Sequence, residues 1–299
     1  MPANTAGCSR DWTTVTQFAL CVGINRFENL PMTSWLNGCV NDAADVSALL
    51  GRAFGFADTS ITVLTDRAAT KDAVFGAMTE ALDRANTPGE HLDHIVITLS
   101  SHGTQLPDTS GDEDDRVDEA FATYDLRQSG AAWNPGSLIV DDELHDLFAR
   151  LPKGVLLDVI LDTCHSGSGL RAMDLLPSRD DRRPRFVPPP TPLGRDGAEA
   201  GGADTRTLRD LIRSSKAAAK PVLFAACRAD QTAADANFDG RYNGAFTHFL
   251  LDALQSGAAS SRGEVIKQVN AKLRDRKFTQ RAQLEASAPG KSTAWGTAF

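Results

Sequence analysis

Several things are scarce in this chain, and each scarcity removes a class of explanation. No run approaches the about 20 consecutive apolar residues that span a bilayer, so no membrane-spanning segment is expected. The opening stretch MPANTAGCSRDW has no apolar segment behind a basic start, so no secretory signal is expected either. Five cysteines, at positions 8, 21, 39, 164 and 227, are too few and too scattered for a disulfide framework. Cys21 and Cys227 lie in apolar runs, where a free thiol behaves as a small hydrophobe. A reduced, cytoplasmic protein is the simplest account. Positive charge is not in excess: a net charge of −8 gives no reason to expect nucleic acid or an anionic membrane as partner. What is present is an ordinary soluble composition, 41% hydrophobic and 23% charged, in 299 residues that can bury a sizeable core.

Five short apolar runs have the length and β-branched content of buried strands: FALCVGI (18–24), SITVLT (60–65), HIVITLS (94–100), VLLDVILD (155–162) and PVLFAAC (221–227). Several are near-continuous rather than alternating, as in a parallel sheet covered on both faces. Helical patterns occupy 41–54, 70–87, 141–151, 243–257 and 263–277. In 70–87 the residues Val74, Met78, Ala81 and Leu82 mark one face and Thr70 suits an N-cap. Strand–helix alternation predicts an α/β fold with a mainly parallel sheet, whose working site lies at the carboxyl ends of the strands. Residues 171–220 break the pattern. They are rich in Arg, Pro, Gly and Asp, and read as an exposed, mobile linker between the fourth and fifth strands.

The third strand runs into S-S-H-G and the fourth into D-T-C-H-S-G. His102 and Cys164 therefore lie just past two strand ends, and emerge on one edge of the sheet if those strands are parallel neighbours. Cys164 has three readings: a buried apolar thiol, a metal ligand with His165, or a nucleophile. The polar flanks DT and HSGSG argue for a loop at a sheet edge rather than core packing. Adjacent Cys and His lack metal-ligand spacing, and no other cluster completes a site. A nucleophile paired with His102 remains, since a nearby imidazole generates or stabilises the thiolate. The backbone N–H groups of Gly103 and Cys164 are then candidate oxyanion donors. A P-loop reading of G-K-S-T at 290–293 fails for want of the upstream glycine and of a strand–helix context.

S-S-H-G-T-Q (100–105) and D-T-C-H-S-G (162–167) resemble the His and Cys boxes of caspase-like cysteine peptidases of clan CD, family C14, nearest to metacaspases and orthocaspases. The likeness extends through FALCVGINRFENLP, NGCVNDAADVSALL, GDEDDRVDEAFATYD, IVDDELHDLF, ACRADQTAADA and GAFTHFLLDAL. It implies a three-layer α/β/α caspase-type sandwich around a mainly parallel sheet. The halves would be a large-subunit-like 1–170 and a small-subunit-like 221–299, joined by the 171–220 linker into one catalytic domain. Caspases proper carry Q-A-C-[RQG]-G at the nucleophile and cut after Asp. Here Asp42, Ser100 and Asp162, with Cys39 among them, match the positions that shape the acidic S1 pocket of metacaspases. The resemblance thus implies Arg or Lys as P1, the residue before the cut, and protein substrates with exposed basic residues. Buried carboxylates selecting a long cation make the same physical sense.

A Cys–His mechanism requires no cofactor. The acidic stretch 108–119 fails as an EF-hand, because Glu113 stands where glycine is needed. The resemblance implies a calcium site at Asp118, Asp141 and Asp142, with a last ligand falling at or near Arg171, a cation, and Asp174 close by. In the linker Arg179, Arg182, Arg183, Arg185 and Arg213 are candidate cleavage sites, cut by the enzyme itself or by an upstream activating protease. A monomer is expected. The competing reading is a catalytically silent caspase-like interaction module, although such proteins usually lack the Cys or the His.

Overall fold

The apolar runs condense into one sheet because most are hydrophobic on both sides and must be covered twice. A computed structural model describes residues 16–90, 92–107, 117–164, 182–191 and 221–297. Cys8, the acidic stretch 108–116, His165, Arg171, Asp174, Arg179 and Arg213 lie outside the described residues.

In chain order, β1 (Gln17–Gly23) leads through α1 (Cys39–Phe54) to β2 (Ile61–Thr65), and α2 (Lys71–Asn86) leads to β3 (His94–Ser100). An antiparallel excursion follows, with β4 (Gly103–Pro107), β5 (Val117–Ala122), the small hairpin β6 (Gln128–Ser129) and β7 (Ala132–Trp133), and β8 (Leu138–Val140). Then come α3 (Asp141–Phe148) and β9 (Leu156–Asp162), β10 (Arg183–Pro184), β11 (Val222–Ala225), and the hairpin β12 (Ala234–Phe238) and β13 (Arg241–Gly244). The chain finishes with α4 (Ala245–Gln255), α5 (Arg262–Asp275), β14 (Gln283–Glu285) and α6 (Ala288–Ser292).

The central sheet has the order β14-β11-β9-β3-β1-β2, parallel except for β14. Alternation along each strand divides the core into layers. Phe18, Leu20 and Val22 of β1, with Ile95, Ile97 and Leu99 of β3, pack with Val74, Met78 and Leu82 of α2 and Leu144, Leu147 and Phe148 of α3. On the other face, Ala19 and Cys21 meet Val46, Leu49 and Leu50 of α1. Ile160 and Phe224 meet Phe249 and Leu250 of α4 and Val265 and Val269 of α5. Each such fully buried Leu, Ile or Phe contributes roughly 1.5–3 kcal/mol. Thr70 caps α2 as its sequence suggests, its side chain accepting from the Ala73 N–H.

Register decides where the chemistry falls. Ser100 at the end of β3 pairs with Asp162 at the end of β9. His102 and Cys164 each lie two residues beyond that pair, so one sheet edge receives both. The expectation for 171–220 needs correction over 182–191. There Arg185, Phe186 and Val187 are only 0%, 5% and 7% exposed. Their burial follows from pairing on two sides: β10 adds to the edge of β12, and Phe186 bridges Gly103.

Candidate active site

The backbone amides of Gly103 and Cys164 converge on one atom, the carbonyl oxygen of Arg185, at 2.9 and 3.2 Å. Two N–H groups aimed at one carbonyl are the donor arrangement an oxyanion hole requires. Gly103 is required here by packing, since a Cβ at that position would collide with the Cys164 carbonyl. The Arg185 N–H donates to Ala233 O at 3.0 Å, and the Val187 N–H donates to Gly103 O at 3.0 Å. The 183–187 segment thus lies extended across the strand ends, hydrogen-bonded on both sides.

The Arg185 guanidinium enters a closed acidic pocket. Nη2 donates to Asp42 Oδ2 at 2.7 Å and to Asp235 Oδ1 at 2.9 Å. Nη1 donates to Ser100 Oγ at 2.7 Å and lies 3.3 Å from Asp162 Oδ1. Each acid is itself anchored. Asp42, in the first turn of α1, accepts from Ser100 Oγ, Asn243 Nδ2 and the Gly244 N–H. Asp162 accepts from the Thr247 N–H and hydroxyl in the first turn of α4. Asp235 accepts from the amides of Asn37 and Gly38. Gly244 leaves room for the guanidinium, because a Cβ there would run into Asp162 and Arg185.

The three acids are an excess of negative charge over one arginine, and burial has a visible cost. Burial pushes the Asp42 carboxyl up to about 6, although Arg185 opposes the rise. Burial also drives the Cys39 thiol, at the start of α1, well above the usual range, with Arg185 opposing. Asp42, Ser100, Asp162 and Cys39 therefore come together around one cation. Sequence reasoning missed Asp235, Asn243 and Thr247.

His102 is buried, and Phe27 stacks on it at 5.3 Å. Its Nε2 lies 2.6 Å from Ser34 O, which assigns the proton to Nε2 and leaves Nδ1 as the lone-pair nitrogen. Burial lowers its pKa to about 4, against the pull of the Ser34 and Arg185 carbonyls, so the ring is neutral. Cys164 Sγ does not hydrogen-bond to this ring. It accepts from the Ala233 N–H, lies 3.4 Å from Ala233 O, and neighbours Cys227. Burial, reinforced by Cys227, pushes the Cys164 thiol well above the ordinary range.

Asp118 in β5 and Asp141 at the start of α3 are buried at one end of the β4–β5–β8 sheet, with Asp142 next to them. Among the described residues no group of three or more His, Cys, Asp or Glu side chains forms a metal site. The rest of the expected calcium set, at or near Arg171 and Asp174, lies outside the described residues. No helix among the described residues is long and apolar enough to cross a membrane.

The sheet order and the paired strand ends match a solved fold. The crystal structure of caspase-1 from Spodoptera frugiperda superposes with a TM-score of 0.52 over 90% of this chain and 86% of that one, at 12% identity, which speaks for the fold alone. That of a Geobacter sulfurreducens protein gives a TM-score of 0.64 at 26% identity, over 95% and 99% of the two chains. Fold and site together define a caspase-like cysteine peptidase. The family model described as metacaspase, peptidase C14 domain, matches residues 17–175. Metacaspase-1A of Aspergillus niger is 30% identical over 91% of this chain and 70% of its own length. Metacaspase-1 of Cryptococcus neoformans is 29% identical over 91% of this chain, which spans 62% of that relative. This chain belongs to the metacaspase family.

Proposed function

We propose that this peptidase cuts after arginine or lysine through Cys164 and His102, and is a zymogen whose own Arg185–Phe186 bond is its first substrate. The observation that carries the reading is the double placement of Arg185. Its side chain fills the Asp42–Asp162–Asp235 pocket while its carbonyl accepts from Gly103 and Cys164. Of the candidate arginines, Arg182 and Arg183 precede this bond in the same segment.

In the working cycle the Cys164 side chain turns from Ala233 toward the carbonyl, and His102 Nδ1 takes its proton. The thiolate attacks the Arg185 carbonyl carbon, and the Gly103 and Cys164 amides hold the oxyanion, each such donor being worth about 2.7–4 kcal/mol. The C–N bond breaks as His102 returns the proton to the Phe186 nitrogen, leaving a thioester. Water hydrolyses the thioester, and the new carboxyl-terminal Arg185 leaves the pocket free for other basic P1 residues. No step uses a metal. Reporter peptides ending in Arg, Lys and Asp test the specificity: Arg and Lys reporters are hydrolysed, and preferred cleavage after Asp would overturn it.

A further inference from the structure

Three residues before Arg185, Arg182 is held by a site that the pocket around Arg185 does not explain. Its guanidinium carbon lies 3.9 Å over the centroid of the Phe278 ring. Its Nη2 donates to Arg276 O at 3.1 Å and its Nη1 to Lys277 O at 3.2 Å. These carbonyls sit just past the end of α5, where the chain leaves the helix and carbonyls lack helical partners. That end also carries the negative pole of the helix dipole. Phe278 cannot swing away freely, because it packs against Phe238 and Phe249 at 6.2 and 6.1 Å between centroids. The side chains of Arg276 and Lys277 are exposed, so their charges are screened by water while their carbonyls face the guest.

We propose that the cleft has a second cation-selecting subsite, formed by Phe278 and the carbonyls of Arg276 and Lys277, that takes arginine at P4 of protein substrates. The proposal rests on Arg185 being P1, which makes Arg182 P4. Arginine suits the site better than lysine, since a planar guanidinium stacks on the ring while its two outer nitrogens reach two separate carbonyls. The preferred substrate is therefore a segment with two arginines in fixed register, and the occupying segment 182–185 (RRPR) is one such sequence.

The test uses the whole chain after self-cleavage and three coumarin reporters that differ only at P4: Arg-Ala-Pro-Arg, citrulline-Ala-Pro-Arg and Ala-Ala-Pro-Arg. Citrulline keeps the shape and removes the charge. The expected kcat/KM for the P4 arginine reporter is about tenfold that of the other two. In Phe278→Leu the ratio between the arginine and alanine reporters falls to about one. Equal rates on all three reporters with wild-type enzyme would overturn the P4 site and leave the P1 reading standing. Hydrolysis of none of them would overturn both. The reporter comparison needs only the wild-type chain, so it holds even if Phe278→Leu fails to fold.

Discussion

Among the described residues two arginines are fully buried, Arg185 and Arg262, and their surroundings differ in kind. Arg262 opens α5 and pairs with the carboxylate of Asp158 on β9, with Nε and Nη2 at 3.2 and 3.3 Å. Its Nη1 donates to the carbonyls of Ala294 and Thr297, and His94 holds the other side of Asp158 at 2.9 Å. Although burial opposes it, His94 and Arg262 together keep the Asp158 carboxyl below its usual range. Arg185 instead faces three carboxylates, and one of them, Asp42, is driven up to about 6. The first cluster is built from fixed elements, a helix start packed on a central strand. The second is a surplus of acids around a cation carried on a separate segment. A buried surplus of one sign is what a binding site for the opposite sign looks like while it is filled.

The sharpest way to break that comparison is to remove each cation. Arg262→Met leaves Asp158 buried beside His94 alone, and should cost about 3–5 kcal/mol by denaturant unfolding. Arg185→Met should cost no more than about 1 kcal/mol, because the 182–191 segment can leave and water can enter the pocket. Equal losses would erase the distinction.

Acid titration separates the clusters by sign. Between its ordinary value of 3.8 and its folded value of about 6, Asp42 binds a proton in the folded state but not in the unfolded one. Its contribution to stability is complete below 3.8 and is lost as pH rises through 6. Relative to Asp42→Asn, the uncut wild type should therefore gain up to about 3 kcal/mol between pH 7 and pH 4. Asp158 is shifted the other way, so its contribution is present above 3.8 and disappears as pH falls below that. The difference between wild type and Asp158→Asn should stay flat from pH 7 to pH 5, as read by urea unfolding at each pH.

Kinetics sharpen the comparison further. Asp235→Asn removes one charge-assisted bond to the P1 cation, and kcat/KM for Arg reporters should fall about 10- to 100-fold. Asp158→Asn should leave the KM of any folded enzyme unchanged. The smallest effect is Arg over Lys at P1, about tenfold in kcat/KM, since a single ammonium cannot bridge Ser100, Asp42 and Asp235 as two guanidinium nitrogens do.

The sheet was legible because β1, β3 and β9 are near-continuous apolar runs and their helices carry clear faces. The position of His102 and Cys164 at neighbouring strand ends was legible for the same reason: polar tetrads follow those runs at equal depth. Asp235 and Asn243 escaped notice because β12 and β13 form a short hairpin with little apolar signal, although Asp-Gly at 239–240 marks its turn, and Thr247 because a threonine in the first turn of α4 reads as an ordinary helix residue. Arg185 was one arginine among several in a stretch whose composition reads as linker. The only local sign of its burial is the apolar pair Phe186–Val187 that follows it, and pairing with Gly103 and Ala233 across long sequence separations cannot be read from spacing. Phe278 needs its aromatic neighbours from β12 and α4 before its ring acquires a purpose.

The most direct test is to incubate the wild-type chain beside Cys164→Ala and to determine the amino termini of the fragments. The account predicts a new terminus at Phe186 in the wild type and an intact Cys164→Ala chain. A wild type that remains one full-length band while hydrolysing Arg reporters, or that is cut first after Arg179 or Arg213, would contradict it.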